Sequence, residues 1–343
     1  MMFYLLSLIT GVLECGWIAF GAIYSLPLWQ ILCYPLAYHI GNLFPMPVSL
    51  SKDYLRLIGI AALICSIMTF IASGTVCIIL TCIALFGISA VIQSVRGGLK
   101  NNGNRLMKRV FRVGGFAFAP LAALIPSVIL IASAITALYA LKDYSGTYRV
   151  YRITGQDGYS PVMIFHQLHY FFYAHITLAA MNLMFVRDCS VKGVVFGAIL
   201  FCGTWVTYMS VEPIVSKLTA KTLPVFYTGH IGLSILLFTM SFVTDTPLFI
   251  VLWLVTGFAG GVVYTITARA KHVGNYDKVS MTISENIGHT LGLLSAVGVA
   301  AIFGEQSPHI MLVFGAASAA LAVIFMTFIS RKESKYEVIN NNG

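Results

Sequence analysis

The chain has 343 residues, of which 58% are hydrophobic and only 10% are charged, and its formal net charge is +9. A soluble domain carries about 25% charged residues, so this composition excludes an ordinary soluble protein and indicates a chain that lies mostly in lipid. In a soluble protein such a charge would suggest a nucleic-acid partner. Here the basic residues lie in the breaks between apolar runs, where they set topology and meet anionic headgroups. We therefore expect a lipid bilayer and no nucleic acid as the partner of these charges.

About eleven apolar runs follow one another along the chain, each close to the roughly 20 residues that a helix needs to cross a bilayer. The first run begins at Met2 with no basic stretch before it, so we expect a retained helix rather than a signal peptide. The pattern predicts an all-α fold, a polytopic transmembrane bundle of about 11–12 helices. The predicted spans are 2–24, 28–44, 56–73, 75–95, 113–141, 162–186, 192–209, 225–243, 247–267, 287–303 and 309–330.

The breaks between the spans predict the topology, because short polar breaks alternate with longer basic ones. The positive-inside rule places the basic breaks and the C-terminus in the cytoplasm. One interval of the chain does not fit this rule. The basic breaks at 96–112 and 142–161 need an even number of crossings between them, yet a single apolar run, 113–141, separates them. Pro126 offers a break in that run, so it forms either one helix or two short ones, and we favour twelve helices with the fifth and sixth compressed.

The segment 142–161 is the most polar long stretch of the chain and predicts a cytoplasmic linker. It divides the chain into an N-terminal transmembrane half, 1–141, and a C-terminal transmembrane half with a short polar tail, 162–343. Other local patterns are the basic stretch SLSKDYLR before the third span and, later in the chain, the segments 211–232, 257–271 and 285–298.

Two pseudo-symmetric halves of six helices joined by a basic linker resemble the major facilitator superfamily, whose halves are related repeats. The stretch before the third span is similar to the family's loop between helices 2 and 3, and the later segments are similar to its loop between helices 8 and 9 and to its helices 10 and 11. The resemblance implies a transporter in which helices 1, 4, 7 and 10 line a central cavity. By this count the cavity-lining spans are 2–24, 75–95, 162–186 and 247–267.

Glu14 lies near the centre of the first span. A charged residue at the middle of a membrane helix costs roughly 2.5–3.5 kcal/mol, so such a carboxyl is expected to face the bundle interior. Two interpretations remain open. Glu14 is either a working proton or substrate site, together with Trp17 one turn on, or a protonated acid that hydrogen-bonds to a neighbouring helix as structural support.

Histidine and tyrosine are concentrated at the start of the seventh span, where His166, His169, Tyr170 and Tyr173 share one helical face. This face is either a substrate- or proton-binding stripe or an aromatic belt at the membrane interface. The spacing H-x-x-H without a nearby carboxylate is a weak metal signature. The seven cysteines show no metal-binding spacing either, so we predict no metal site and no cofactor.

The remaining candidates lie on three other spans. Gln93 and Arg96 end the fourth span, and Arg96 either clamps an anionic group through paired hydrogen bonds or anchors the helix at the interface. Tyr264 offers a hydroxyl group on the tenth helix of the resemblance. Glu285 and His289 are four residues apart at a helix start, so they are able to touch, and we predict a gate or structural brace there.

Together these features predict a secondary active transporter rather than an enzyme. It moves a small organic solute, amphipathic or metal-chelating, by alternating access and couples this movement to protons through Glu14. Antiport is favoured over symport because no fixed positive group is expected deep in the spans. We expect a monomer in a bacterial inner membrane, with the solute, protons and lipid as partners. The alternatives are a histidine-ligated haem or metal redox protein, a membrane-embedded enzyme, and a scaffold or receptor.

Overall fold

In a computed structural model of the chain, the described residues form helices joined by short turns, and they contain no β-strand. In a few helical stretches, among them 264–269 and 330–341, only the backbone is described. The described residues are 1–23, 26–45, 50–98, 104–122, 124–144, 160–168, short pieces between 202 and 215, 222–269, 278–304 and 307–341.

Most of the described helices overlap predicted spans, whereas most of 162–186 and nearly all of 192–209 lie outside the described residues. The first six are α1 (Met2–Ile23), α2 (Leu28–Leu43), α3 (Lys52–Met68), α4 (Gly74–Gly98), α5 (Arg105–Ala122) and α6 (Pro126–Ala140). A 3-10 turn, Leu141–Asp143, follows α6. The later helices are α7 (161–168), α8 (Thr222–Met240), α9 (Thr246–Arg269), α10 (Lys278–Phe303) and α11 (Ser307–Asn341).

Three of the described helices are long and apolar enough to cross a bilayer by length and composition. Shorter apolar helices accompany them in both parts of the chain. The protein is therefore an integral membrane protein built as a helical bundle, as its composition predicted. The three long segments are Gly74–Arg96, Met281–Phe303 and Ser307–Ile329.

The chain forms two compact units. The first contains α1 to α6, and the second contains α7, α8, α9, the first part of α10, and α11. The predicted linker at 142–161 stays a prediction, because residues 145–159 lie outside the described part of the chain.

Each unit has its own apolar core. In the first unit α4 packs against α2 and α3, α3 packs against α6, and α1 packs against α5. In the second unit α8 packs against both α9 and α11. Buried side chains of the first core include Leu6, Leu13, Leu85, Ile88, Val91 and Leu130, and those of the second include Val162, Val211, Val215, Phe226 and Met326.

The start of α3 shows how local chemistry sets a helix boundary. The Ser51 hydroxyl accepts a hydrogen bond from the Tyr54 amide at 3.3 Å, which satisfies one of the unpaired N–H groups of the first turn. Asp53 adds a negative charge at the positive end of the helix and pairs with Arg56 at 3.1 Å. The helix therefore begins at Lys52, before the apolar residues that predicted its start.

The basic break predicted at 96–112 is wrong over its second half. A helix, α5, begins at Arg105 and ends at Ala122, and α6 begins at Pro126. Proline suits the first position of a helix because its missing N–H would have no partner there. Two helices of about 27 Å and 22 Å thus replace the single run between the basic breaks. The structure thus has two helices in this interval, as the favoured alternative predicted.

Helices α1 and α5 touch backbone to backbone where Gly11 meets Gly115. A Cβ atom on Gly11 would overlap the carbonyl oxygen of Arg112, and one on Gly115 would overlap the carbonyl oxygen of Leu8. Small residues allow such close approach between membrane helices. The crossing fixes the distance between the side chains one turn away on each helix, which are those of Glu14 and Arg112.

Gly115→Ala is expected to destabilise the protein, because the added methyl group must push α1 and α5 apart. Overpacking of this kind costs about 1–3 kcal/mol. The neighbouring change Gly114→Ala is a matched control, since a Cβ there would meet only the end of the Leu8 side chain at 3.6 Å. Thermal unfolding in detergent should show a lower melting temperature for Gly115→Ala alone. Equal melting temperatures for the two variants would contradict the close crossing.

Candidate functional site

One face of α1 is polar along most of its length and is nevertheless buried. At about 100° per residue, Ser7, Thr10, Glu14 and Trp17 lie along one side of this helix together with Phe3. The exposed fractions are 0% for Ser7, 2% for Thr10, 6% for Glu14 and 3% for Trp17. Buried polar groups require partners, so this face is where the first unit must supply them.

Glu14 forms an ion pair with Arg112 of α5, whose Nη2 donates a hydrogen bond to Glu14 Oε2 at 2.5 Å. The carboxyl side chain is 7% exposed and the arginine side chain is 31% exposed. The partner of Glu14 is thus a cation rather than the neutral hydrogen-bonding group of the structural-support interpretation. A charge buried this deeply needs such a partner, and the positive end of the pair reaches the accessible surface.

A second guanidinium lies on the same face of α1. Arg96, half-buried in the last turn of α4, donates from Nη1 to the Thr10 hydroxyl at 3.4 Å. The Thr10 hydroxyl itself donates to the Leu6 carbonyl at 2.7 Å. Tyr38 of α2 is buried beside them and lies within electrostatic range of Glu14 and both arginines. We call Thr10, Glu14, Tyr38, Arg96 and Arg112 the α1 cluster.

Positive charge exceeds negative charge around α1. Two cations lie over the Phe3 ring at the start of this helix: the guanidinium carbon of Arg96 is 5.8 Å from the ring centroid, and Lys108 Nζ is 3.9 Å from it. With Arg112, three cations contact α1, whose one acidic residue is Glu14. The expectation that no fixed positive group lies deep in the spans is therefore wrong. It failed because Arg112 was assigned to a loop.

Trp17 occupies the same face of α1 one turn beyond Glu14. Its ring packs against Phe20 at 5.7 Å and Tyr34 at 6.0 Å between centroids. Its indole N–H is buried and has no hydrogen-bond acceptor within the described part of the chain. Gln93, the other predicted residue near this cluster, is half-buried one turn before Arg96.

The second unit contains a pair of buried imidazoles. His166 Nδ1 and His230 Nε2 are 3.2 Å apart, and the two residues are 3% and 0% exposed. His230 Nδ1 lies 3.0 Å from the Phe226 carbonyl of its own helix. A carbonyl only accepts, so His230 Nδ1 carries the proton and its Nε2 accepts from His166. The pair joins α7 to α8.

A second polar link joins α7 to α10 through Gln167. Its Nε2 donates to Glu285 Oε1 at 3.4 Å, and its Oε1 accepts from His289 Nε2 at 2.7 Å. The sequence predicted that Glu285 and His289 brace each other directly; the structure places Gln167 on both. Close approach of the helices at Gly288, where a Cβ would overlap the Ile164 carbonyl oxygen, brings these groups together.

Solved structures resemble the whole chain. The nucleoside transporter NupG matches with a TM-score of 0.62 at 13% identity, covering 96% of this chain and 98% of that one. A peptide transporter POT matches with a TM-score of 0.66 at 10% identity, covering 96% and 94%. A bacterial homologue of the iron transporter ferroportin matches with a TM-score of 0.63 at 14% identity, covering 96% and 98%.

The chain therefore has the fold of these solved transporters. Neither a protein-family model nor a curated protein matches the chain, so the likeness is one of fold. All three of these solved structures are of transporters.

Part of the predicted site lies outside the described side chains. His169, Tyr170 and Tyr173 lie outside the described residues, so the stripe that they form with His166 stays a prediction. Tyr264 lies in α9, where only the backbone is described. Within the described residues no group of three or more His, Cys, Asp or Glu side chains is placed to hold a metal ion.

Sequence reasoning missed the arginine that pairs with Glu14. The signal was available, because Arg105, Lys108, Arg109 and Arg112 recur at intervals of three and four residues, which is the spacing of one helical face. A topological loop needs no such periodicity. Thr10 and Tyr38 carried no comparable signal, since single hydroxyl groups in apolar spans are common.

Gln167→Leu is expected to destabilise the second unit, because it removes the donor to Glu285 and the acceptor from His289. Loss of a hydrogen bond of this kind costs about 0.5–1.5 kcal/mol. Thr239→Val is the control, as this exposed hydroxyl bonds only the Ile235 carbonyl of its own helix. Thermal unfolding in detergent should separate the two variants. An unchanged melting temperature for Gln167→Leu would show that the link contributes nothing.

Proposed function

We propose that the chain is a secondary active transporter that moves a small organic solute by alternating access and couples this movement to protons through the Glu14–Arg112 pair. The observation that carries the proposal is the buried ion pair between α1 and α5, in a fold that matches known transporters. An ion pair at low dielectric is strong only while both members are charged. A proton on Glu14 therefore removes most of the attraction.

The geometry supports a switch of this kind. Glu14 is buried, whereas the Arg112 side chain is 31% exposed, so the arginine is the member that is able to turn away. The Gly11–Gly115 crossing, one turn from the pair on each helix, holds the two backbones together. Loss of the pair thus releases a guanidinium while the helices stay in contact.

The similar solved structures do not indicate which solute this chain moves. They include a nucleoside transporter, a peptide transporter, a homologue of an iron transporter and a D-xylose-proton symporter. An amphipathic or metal-chelating organic solute, as the sequence suggested, remains within the proposal. Antiport loses the argument that favoured it, because Arg96 and Arg112 are fixed positive groups beside Glu14.

The proposal includes the placement of the chain in the membrane. We place a monomer in a bacterial inner membrane with its C-terminus in the cytoplasm, on the basis of the alternating basic breaks. Cysteine accessibility labelling after Lys332→Cys, in a variant without the native cysteines, tests the orientation. Labelling from the outside would contradict it.

Transport is tested with purified protein in proteoliposomes. A thermal-shift screen against a panel of metabolites first selects solutes that bind, and their radiolabelled forms are then offered to the vesicles. Accumulation against the solute gradient is expected when a pH gradient is imposed, and loss of accumulation when a protonophore collapses it. Arg56→Gln, which changes an exposed arginine on α3, should transport normally. Binding without any movement of a solute into the vesicles would contradict the proposed function.

A further inference from the structure

The α1 cluster holds more positive than negative charge, and this excess indicates what it binds. Arg112 is matched by Glu14, which the described residues place as its carboxylate partner. Arg96 has no carboxylate partner among the described residues. Its contacts are the Thr10 hydroxyl at 3.4 Å, which is long for a hydrogen bond, and the face of the Phe3 ring.

These two contacts do not use all the hydrogen-bond donors of the Arg96 guanidinium. Arginine presents five N–H donors in a rigid planar fork and stays charged at every physiological pH. One long bond to a hydroxyl leaves most of that fork unused. The groups that satisfy it are carboxylate and phosphate, which accept two parallel hydrogen bonds.

A hydroxyl group also lies close to Arg96. Tyr38 adds a buried hydroxyl within range of Arg96. A site rich in donors, with its one carboxylate already paired, favours a ligand that brings acceptors and negative charge.

We propose that the transported solute is an organic anion with a carboxylate or phosphate group, held by Arg96 and, once Glu14 takes up a proton, also by Arg112. This inference rests on the proposed function and names the solute class of the same site. The groups that face Glu14 are Arg112 from α5, Arg96 from α4 and Tyr38 from α2.

The proposal fixes the direction of coupling. When a proton binds to a carboxylate oxygen of Glu14, the ion pair breaks and the Arg112 guanidinium becomes available to the anion. Release of the anion and the proton restores the pair. Proton and anion then travel together, and the monoanion plus proton cross the membrane with no net charge. The mechanism is symport rather than the antiport that the sequence favoured.

Binding tests the proposal without requiring transport. Purified full-length protein is heated with mono-, di- and tricarboxylates, with inorganic and organic phosphates, and with neutral sugars and amides of matched size, at constant ionic strength set with sodium chloride. At least one anion should raise the melting temperature of the wild type beyond chloride. Arg96→Gln should weaken that binding roughly 10- to 100-fold, since a hydrogen bond to a charged group is lost. Arg96→Lys, which keeps the charge but not the fork, should weaken it less, and Arg56→Gln should not change it.

The outcomes separate this proposal from the function on which it rests. No stabilisation by any anion beyond chloride, or equal anion binding in the wild type and Arg96→Gln, overturns the anion site. Melting without ligand shows whether Arg96→Gln folds; if it does not, the wild-type comparison and Arg96→Lys decide. A neutral solute that accumulates in vesicles contradicts the anion site and leaves transport standing. An anion that binds through Arg96 but never enters the vesicles contradicts transport and leaves the anion site standing.

Discussion

Glu14→Gln is expected to abolish proton-driven accumulation of the solute while leaving solute exchange measurable. Glutamine has nearly the volume of glutamic acid and the charge of its protonated form, so it holds the α1 cluster in the state that a proton would produce. Arg112 then lacks its carboxylate partner at every pH, and the step in which proton release restores the ion pair cannot occur. Exchange needs no such step and should change by less than about tenfold, or 1.4 kcal/mol.

The measurement compares two assays on the same proteoliposomes. Uptake under an imposed pH gradient reports coupling, and counterflow without a gradient reports binding and translocation. Asp53→Asn is the matched control, because that carboxyl is exposed on α3 and pairs only at the surface with Arg56. If the Glu14→Gln protein still concentrates the solute with the pH dependence of the wild type, Glu14 is structural. The coupling group would then be sought in the second unit, at His169 or at the His166–His230 pair.

Arg112→Gln is expected to destabilise the protein more than Glu14→Gln does. It leaves the Glu14 carboxylate, 7% exposed, without its ion-pair partner, and breaking a buried pair from one side costs about 3–5 kcal/mol. Glu14→Gln leaves an arginine that is already 31% exposed and whose long side chain reaches water more easily. The asymmetry follows from burial rather than from the contact itself.

The double variant Glu14→Gln with Arg112→Gln isolates the interaction. Removing both charges should recover most of the stability that Arg112→Gln loses, because no buried charge remains, and the double-mutant cycle gives the coupling energy. Arg56→Gln controls for loss of an arginine at the surface, where an ion pair contributes about 0–1 kcal/mol. Thermal unfolding of the four proteins in one detergent is sufficient. A double variant no more stable than Arg112→Gln would refute the buried pair as the source of the effect.

The α1 cluster shows where sequence reasoning worked and where it did not. Glu14 was predicted from its position alone, since a carboxyl inside an apolar span has few tolerable environments. Arg112 was assigned to a basic cytoplasmic break, because charge in a membrane protein is normally a topological signal. It lies instead in α5, on a basic face that packs against α1. The argument that favoured antiport over symport depended on this assignment of Arg112.

In the second unit, too, the sequence predicted single residues but not their partners. His166 was a candidate from the sequence, but no sequence feature paired it with His230. Glu285 and His289 were paired because they are four residues apart on one helix. Gln167, the residue that contacts both, is distant in sequence and carries no charge to mark it.

The sequence by itself determined the membrane, the helices and the residues too polar for their spans. Each of these follows from local physics, because a helix in lipid satisfies its own backbone and must be about 20 residues long. The tertiary structure alone decided the partners. Glu14 meets Arg112 across 98 positions of the chain, and His166 meets His230 across 64. Such pairs depend on where two helices cross, and the α1–α5 crossing is set by a contact between Gly11 and Gly115 that only the packed structure reveals.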